Sequence, residues 1–266
     1  HTGGWSSCIC APLCGPSSFG GVWPADNQIF YKTNDSKIAT IFEAIWRWSD
    51  SSIRINHIKS HSYSSFGVIT FERPLKIIPD DFLHMSCHIS DVLLPNCVIK
   101  IGDGAFHNCF GLKQINIPGT IELLGVYLFT SCIKLSTFIS PFASLDGRCL
   151  IVDGTLVAFA PNGITNYVIP NSVKNIRRGA FAFCPNLQNI TIPNSVTEIG
   201  NYAFSDCSNL SNLSLSIGLT SIGDGAFSGC HNLQNITIPN SVTKIGDSAF
   251  NGCHSLKAIL IPCSVE

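Results

Sequence analysis

The sequence returns to itself every 23 residues. Phe181, Phe204, Phe227 and Phe250 fall at that spacing, and Cys184, Cys207, Cys230 and Cys253 each follow three residues behind. Phe106 and Phe129, with Cys109 and Cys132, keep the same interval, and the 52 residues from Phe129 to Phe181 make one period plus an insertion of 29. A fixed period of this length predicts a solenoid in which each repeat is one coil laid on the last. That constraint speaks to architecture and surface far more than to any ligand.

The unit reads L-x-x-I-x-I-P-x-S-V-x-x-I-G-x-x-A-F-x-x-C-x-x, as in Ile192 to Leu213. Its I-x-I-P segment alternates as a short strand does, and the proline, which cannot donate to a ladder, ends it. S-V-x-x-I-G predicts a second short extended piece, with Gly200, Gly223 and Gly246 turning the chain through positive φ. A short helical or 3-10 turn through A-F-x-x-C is expected to close the coil on the convex side. One such coil holds too few apolar positions to offset its own ordering, so neighbours must complete the burial.

These letters resemble the BspA-like leucine-rich repeat family over roughly residues 76–266. The resemblance implies a right-handed leucine-rich solenoid, export to the surface of gut or oral bacteria or of some parasitic protists, and roles in adhesion or host contact. It brings no enzymatic activity and no cofactor. IFYKTNDSKI and GVITF are also similar to the segment that precedes the repeats in Bacteroides-type relatives.

With 12% charged residues and a net charge of −1, nothing favours nucleic acid or an anionic membrane. No apolar run approaches the roughly 18 to 20 residues of a membrane span. The chain opens at His1 without a basic-then-apolar start, so a leader is expected to lie outside it. Of the 13 cysteines, Cys109, Cys132, Cys184, Cys207, Cys230 and Cys253 share one template column. They are expected as buried free thiols, because parallel side chains on stacked coils suit disulfides poorly.

In chain order, residues 1–22 read as an irregular lead-in carrying Cys8, Cys10 and Cys14. The aromatic-rich residues 23–75, with Trp46 and Trp48, read as a β cap, including a hairpin turning at Asn34-Asp35. Residues 76–266 carry the repeats. The first is worn and holds His84 and His88 four apart with Cys87 between them; on a helix the two histidines would share a face and could bind zinc, although a degenerate coil explains them as well. The insertion at about residues 144–167 has apolar runs on either side of Asp153-Gly154 and predicts a hairpin, either a ribbon joining coils or a projecting contact loop. The last copy stops mid-template at Glu266, so the native chain is expected to continue or this open coil to self-associate.

The third and fifth template positions alternate away from the interior. They read Gln114/Asn116, Thr137/Ile139, Asn189/Thr191, Asn212/Ser214, Asn235/Thr237 and Ala258/Leu260. Gln114, Asn116, Asn189, Thr191, Asn212, Ser214, Asn235 and Thr237 are the ligand-contact candidates: amides and hydroxyls that hydrogen-bond protein backbone or sugars, with no nucleophile beside a base. His231 and His254 should stack without a third metal ligand, and Asp224 and Asp247 form a similar column. The expected function is binding a protein or glycan, such as host extracellular matrix, with neither catalytic nor metal site. The alternative is a structural solenoid assembling through its ends.

Overall fold

The computed structural model describes residues 23–34, 58–63 and 67–266, and shows a β-solenoid of about seven turns. A typical coil gives a three-residue strand to one lateral sheet and a two-residue strand to another. Asn189–Thr191 lies parallel between Asn166–Val168 and Asn212–Ser214, every residue opposite its counterpart 23 positions away. Glu198–Ile199 lies likewise between Asn175–Ile176 and Ser221–Ile222. Before the insertion two separate ladders of the same kind run through Ile89–Leu93, Gln114–Asn116 and Thr137–Ile139, and through Ile77–Ile78, Lys100–Ile101 and Leu123–Leu124.

Gln28–Thr33 pairs antiparallel with both Gly67–Phe71 and Ile89–Leu93, and Ile58–Tyr63 pairs with Gly67–Phe71, so an antiparallel ribbon continues the first lateral sheet ahead of the coils. The expected hairpin partner after Asn34, the two tryptophans Trp46 and Trp48, and Cys8, Cys10 and Cys14 lie outside the described residues.

No helix occurs among the described residues. The A-F-x-x-C segment, expected as a short helical or 3-10 turn, is a run of separate turns that do not join into a helix: Ser205 N–H donates to Tyr202 O at 3.2 Å and Cys207 N–H to Phe204 O at 3.3 Å. Tyr202 and Asp206 adopt φ of 54° and 57°, and two left-handed residues four apart cannot continue a right-handed helix. The kinks free alternate amides for the next coil, as when Phe204 N–H donates to Ala226 O at 2.8 Å. A second expectation also needs correction. Gly200, Gly223 and Gly246 do not adopt positive φ. Glycine is required there by close approach, since a Cβ at Gly200 would stand 2.7 Å from the Arg178 nitrogen and one at Gly223 2.5 Å from the Asn201 nitrogen.

The interior repeats as the coils do. Phe204 stacks on Phe227 and Phe227 on Phe250 at ring separations of 5.3 and 5.5 Å, nearly parallel. The thiols of Cys109, Cys132, Cys207, Cys230 and Cys253 donate to the carbonyls of Leu83, Phe106, Phe181, Phe204 and Phe227 in the preceding coil at 2.9–3.2 Å. Cysteine fits because it is small and apolar yet adds a weak donor to a buried carbonyl that has a second lone pair to offer.

Within the insertion, Cys149–Val152 and Thr155–Phe159 form the expected hairpin, with Asp153 and Gly154 at φ 49° and 75°. Thr155–Phe159 then runs parallel to Asn175–Ile176 and so becomes the ribbon that starts the next short-strand ladder. Its two faces serve different cores. Leu150 and Val157 pack with the N-terminal cluster, whereas Cys149, Leu156 and Phe159 pack with the C-terminal one.

Burial pushes the Cys149 thiol up to about 12 and raises Cys132 and Cys253, and at Cys184 a hydrogen bond with Cys207 that favours the protonated thiol comes first, with burial adding to it. Site-resolved alkylation at neutral pH should therefore modify exposed Cys87 and Cys263 while sparing the column until the chain unfolds. A raised thiol pKa stabilises the fold below the unfolded value of about 9, so the melting temperature should fall as pH rises from about 9 towards 12. Flat melting across that window, or column labelling in the folded protein, would contradict this account.

Candidate recognition face

Six of the eight candidate residues meet in one place. Asn189, Thr191, Asn212, Ser214, Asn235 and Thr237 line a shallow groove of about 510 Å³ on the lateral sheet after the insertion. Asn189–Thr191 and Asn212–Ser214 supply its floor, and single bridges from Asn212 to Asn235 and from Thr237 to Leu260 extend it over two further coils. Strand alternation explains the arrangement: Ile190 and Ile236 turn inwards and are buried, so their neighbours must turn outwards. Asn189 is half-buried and the other five are exposed.

The amides form a row. Asn212 Nδ2 donates to Asn189 Oδ1 at 2.6 Å, and Asn189 Nδ2 donates to Asn166 Oδ1. Asn166 had not been singled out, because the insertion hides its register, yet it lies one period before Asn189 and was recoverable by subtraction. Leu215, Ile217 and Pro239 add an apolar margin to the groove. The face therefore offers aligned donors and acceptors beside exposed carbon, without charge.

Gln114 and Asn116 belong to the other block and do not reach this groove. Gln114 is half-buried. Asn116, expected to face solvent, is 2% exposed: its Oδ1 accepts from Leu94 N–H at 2.5 Å and its Nδ2 donates to Leu94 O at 2.9 Å. The amide thus serves the backbone of the preceding coil, which withdraws it from any ligand.

The metal-ligand candidates have structural partners. His231 and His254 stack at 5.2 Å as the period required, and His231 Nδ1 lies 2.9 Å from Gly252 O. His84 stacks on His107 at 5.0 Å, and burial followed by the neighbouring His84 lowers the His107 pKa. Asp224 Oδ1 accepts from Asp247 N–H, and its Oδ2 accepts from Asn201 Nδ2, each at 3.0 Å. Among the described residues no three potential ligands converge. On the short-strand side, a polar groove of about 760 Å³ displays Arg177, Glu198 and Lys244. No described helix is long and apolar enough to cross a membrane.

Residues 27–146 and 156–266 match the family model described as BspA type leucine rich repeat region, in six copies. Comparison with curated proteins gives no match. Among solved structures, a leucine rich cell surface protein from Faecalibacterium prausnitzii A2-165 is 30% identical, with a TM-score of 0.60 over 71% of this chain and 52% of that one. The pneumococcal vaccine antigen PcpA is 19% identical, with a TM-score of 0.50 over 71% of this chain and 60% of that one, and shares the fold. The chain thus spans between half and two thirds of the length of these two proteins.

Replacing Asn116 by leucine tests its reassigned role. Loss of both bonds to Leu94 leaves a buried N–H and C=O without partners and should destabilise the protein by about 2 kcal/mol or more in denaturant titration. An unchanged midpoint would return Asn116 to the surface.

Proposed function

The chain belongs to the BspA-type leucine-rich repeat family, and we propose from that premise that it is a non-catalytic binding protein of a cell surface that grips a protein partner along its lateral sheet. The family consists of surface proteins that generally bind proteins. The observation that carries the reading is the uncharged groove in which Asn189, Asn212 and Asn235 repeat in one row and Thr191, Ser214 and Thr237 in the next. Each coil offers the same weak pair of polar contacts, so a long partner engages several at once and gains affinity through avidity. Host matrix proteins and other adhesion targets suit such a face, because their extended surfaces present backbone amides and carbonyls at repeated intervals. A glycan would find the same donors and acceptors, but Leu215, Ile217 and Pro239 favour protein by giving the groove an apolar margin.

The purified chain should bind saturably to members of an array of extracellular-matrix proteins, mucins and bacterial glycans. Asn212→Arg, which sets an unpaired cation in the middle of the row, should weaken that binding by roughly tenfold or more while leaving the fold intact. Binding unaffected by this substitution would move the site elsewhere. A protein that binds none of the array but multimerises with concentration would be a structural solenoid instead.

A further inference from the structure

The lateral sheet breaks once. Thr137–Ile139 ends one ladder, Asn166–Val168 begins the next, and the two are not paired. The outer side of Thr137–Ile139 is occupied, since Phe138 N–H donates to Gly147 O of the insertion at 2.8 Å. Asn166–Val168 receives no such cover. Thr165 O accepts from Asn189 N–H at 3.0 Å and Ile169 N–H donates to Thr191 O at 3.1 Å, so Thr165, Tyr167 and Ile169 turn their backbone groups towards the following strand. By the alternation of a parallel ladder, Asn166 and Val168 turn theirs the other way, where no described strand pairs with them. Such a row of backbone groups is a template for another strand.

A cleft of about 530 Å³ lies beside this edge, between the insertion segment 141–146 and residues 167–170. Phe142, Leu145, Val168 and Pro170 give it apolar walls, and the Val168 side chain is 67% exposed. At its rim stands Asp146. The Asp146 carboxylate accepts from Ser144 Oγ at 2.5 Å, from Arg148 N–H at 3.0 Å and from the Tyr167 hydroxyl at 3.1 Å. Partial burial pushes its pKa up, but these three donors outweigh burial and hold it below the usual carboxylate range. Its charge has no cationic partner among the described residues. The nearby Arg148 guanidinium turns instead to Ala160 O and Asn162 O, at 3.1 and 2.9 Å.

We propose that this break is a strand-acceptor slot. It takes an extended segment of a partner protein, which pairs with the free edge of Asn166–Val168, sets an apolar side chain into the cleft and brings a lysine or arginine to Asp146. Main-chain pairing supplies affinity and the two side chains supply selectivity, as in other cases of strand addition. The slot meets the amide row only at Asn166, two coils before Asn212, so Asn212→Arg leaves the slot intact and the two sites can be tested independently.

The experiment uses the full chain, isotopically labelled, with amide hydrogen exchange read by NMR. In the free protein the Asn166 and Val168 amides should exchange about a hundredfold faster than that of Tyr167. A library of acetylated, amidated pentapeptides with an apolar third residue and lysine or norleucine at the fifth, two positions on and so on the same face, is then added. Binders should slow exchange at Asn166 and Val168, and N-methylation of alternate peptide amides should abolish binding. Norleucine for lysine should weaken binding by roughly tenfold, and Asp146→Asn should erase that difference. Val168→Pro, which removes an edge donor that the fold does not use, should lose the peptide; the N-methylated peptides make the same test on the unaltered protein.

Slow exchange at Asn166 and Val168 in the free, dilute protein would mean that the chain itself fills the slot. Protection that grows with protein concentration would assign it to a second copy. A library without binders to millimolar concentration, or binders indifferent to N-methylation, would rule out strand addition. Each of these outcomes overturns the proposal.

Discussion

Within the regular coils each side chain lies over its own counterpart one coil away, so the repeats must be built from residues that tolerate themselves as neighbours. Phenylalanine does so by stacking, as Phe181, Phe204, Phe227 and Phe250 do. Asparagine does so because an amide is both donor and acceptor, and cysteine because its thiol reaches the carbonyl beneath. Charge does not, since like charges about 5 Å apart repel along the whole column. The 12% charged composition follows from this rule and carries little information about partners. Where carboxylates do stack, as at Asp224 and Asp247, backbone N–H groups lie between them, and Asn201 takes the place of a third.

The same rule explains the alternation in the column that contains Tyr202. Tyr127, Gly179, Tyr202 and Gly225 succeed one another there, all in the left-handed region with φ between 54° and 68°. Each tyrosine ring lies over the next glycine, where a Cβ would stand 2.6 Å from the ring carbons of Tyr127 or Tyr202. Two tyrosines could not follow directly. Between them the Arg178 guanidinium sits 5.4 and 5.6 Å from the two ring centres, and its Nε donates to Tyr127 Oη at 3.0 Å. Tyr127 precedes the insertion and Arg178 follows it, so this cation–π sandwich fastens the two blocks where the phenylalanine stack is interrupted by Phe138 and Phe159.

Most of the fold was legible because its information is periodic. One period set the phenylalanine and cysteine columns, the stacked histidines and the in-register strands, and Asp153-Gly154 marked the hairpin. What the letters did not disclose depends on backbone placement between coils. Gly223 looks like a turn residue, yet it is there because Asn201 presses against it from the coil before. A helical turn is kept from continuing through A-F-x-x-C by left-handed residues such as Tyr202, whose side chain gives no warning of its φ. Asn116 fits the outward template but finds an unpaired backbone position at Leu94 within its reach, and hydrogen-bond accounting overrides the alternation.

Self-tolerance also limits what the regular surface can recognise. A column of identical residues offers the same contact at every step, so a partner can slide by one coil and lose little but the end contact. Such a face gives avidity without register. Register must come from where the period fails, because only there can unlike groups meet without being repeated. The insertion supplies such a place: a free strand edge, an apolar cleft and the single carboxylate of Asp146 lie within one break in the sheet. A partner anchored at that break and laid along the Asn and Thr rows would gain both position and strength, each from the part of the solenoid able to give it.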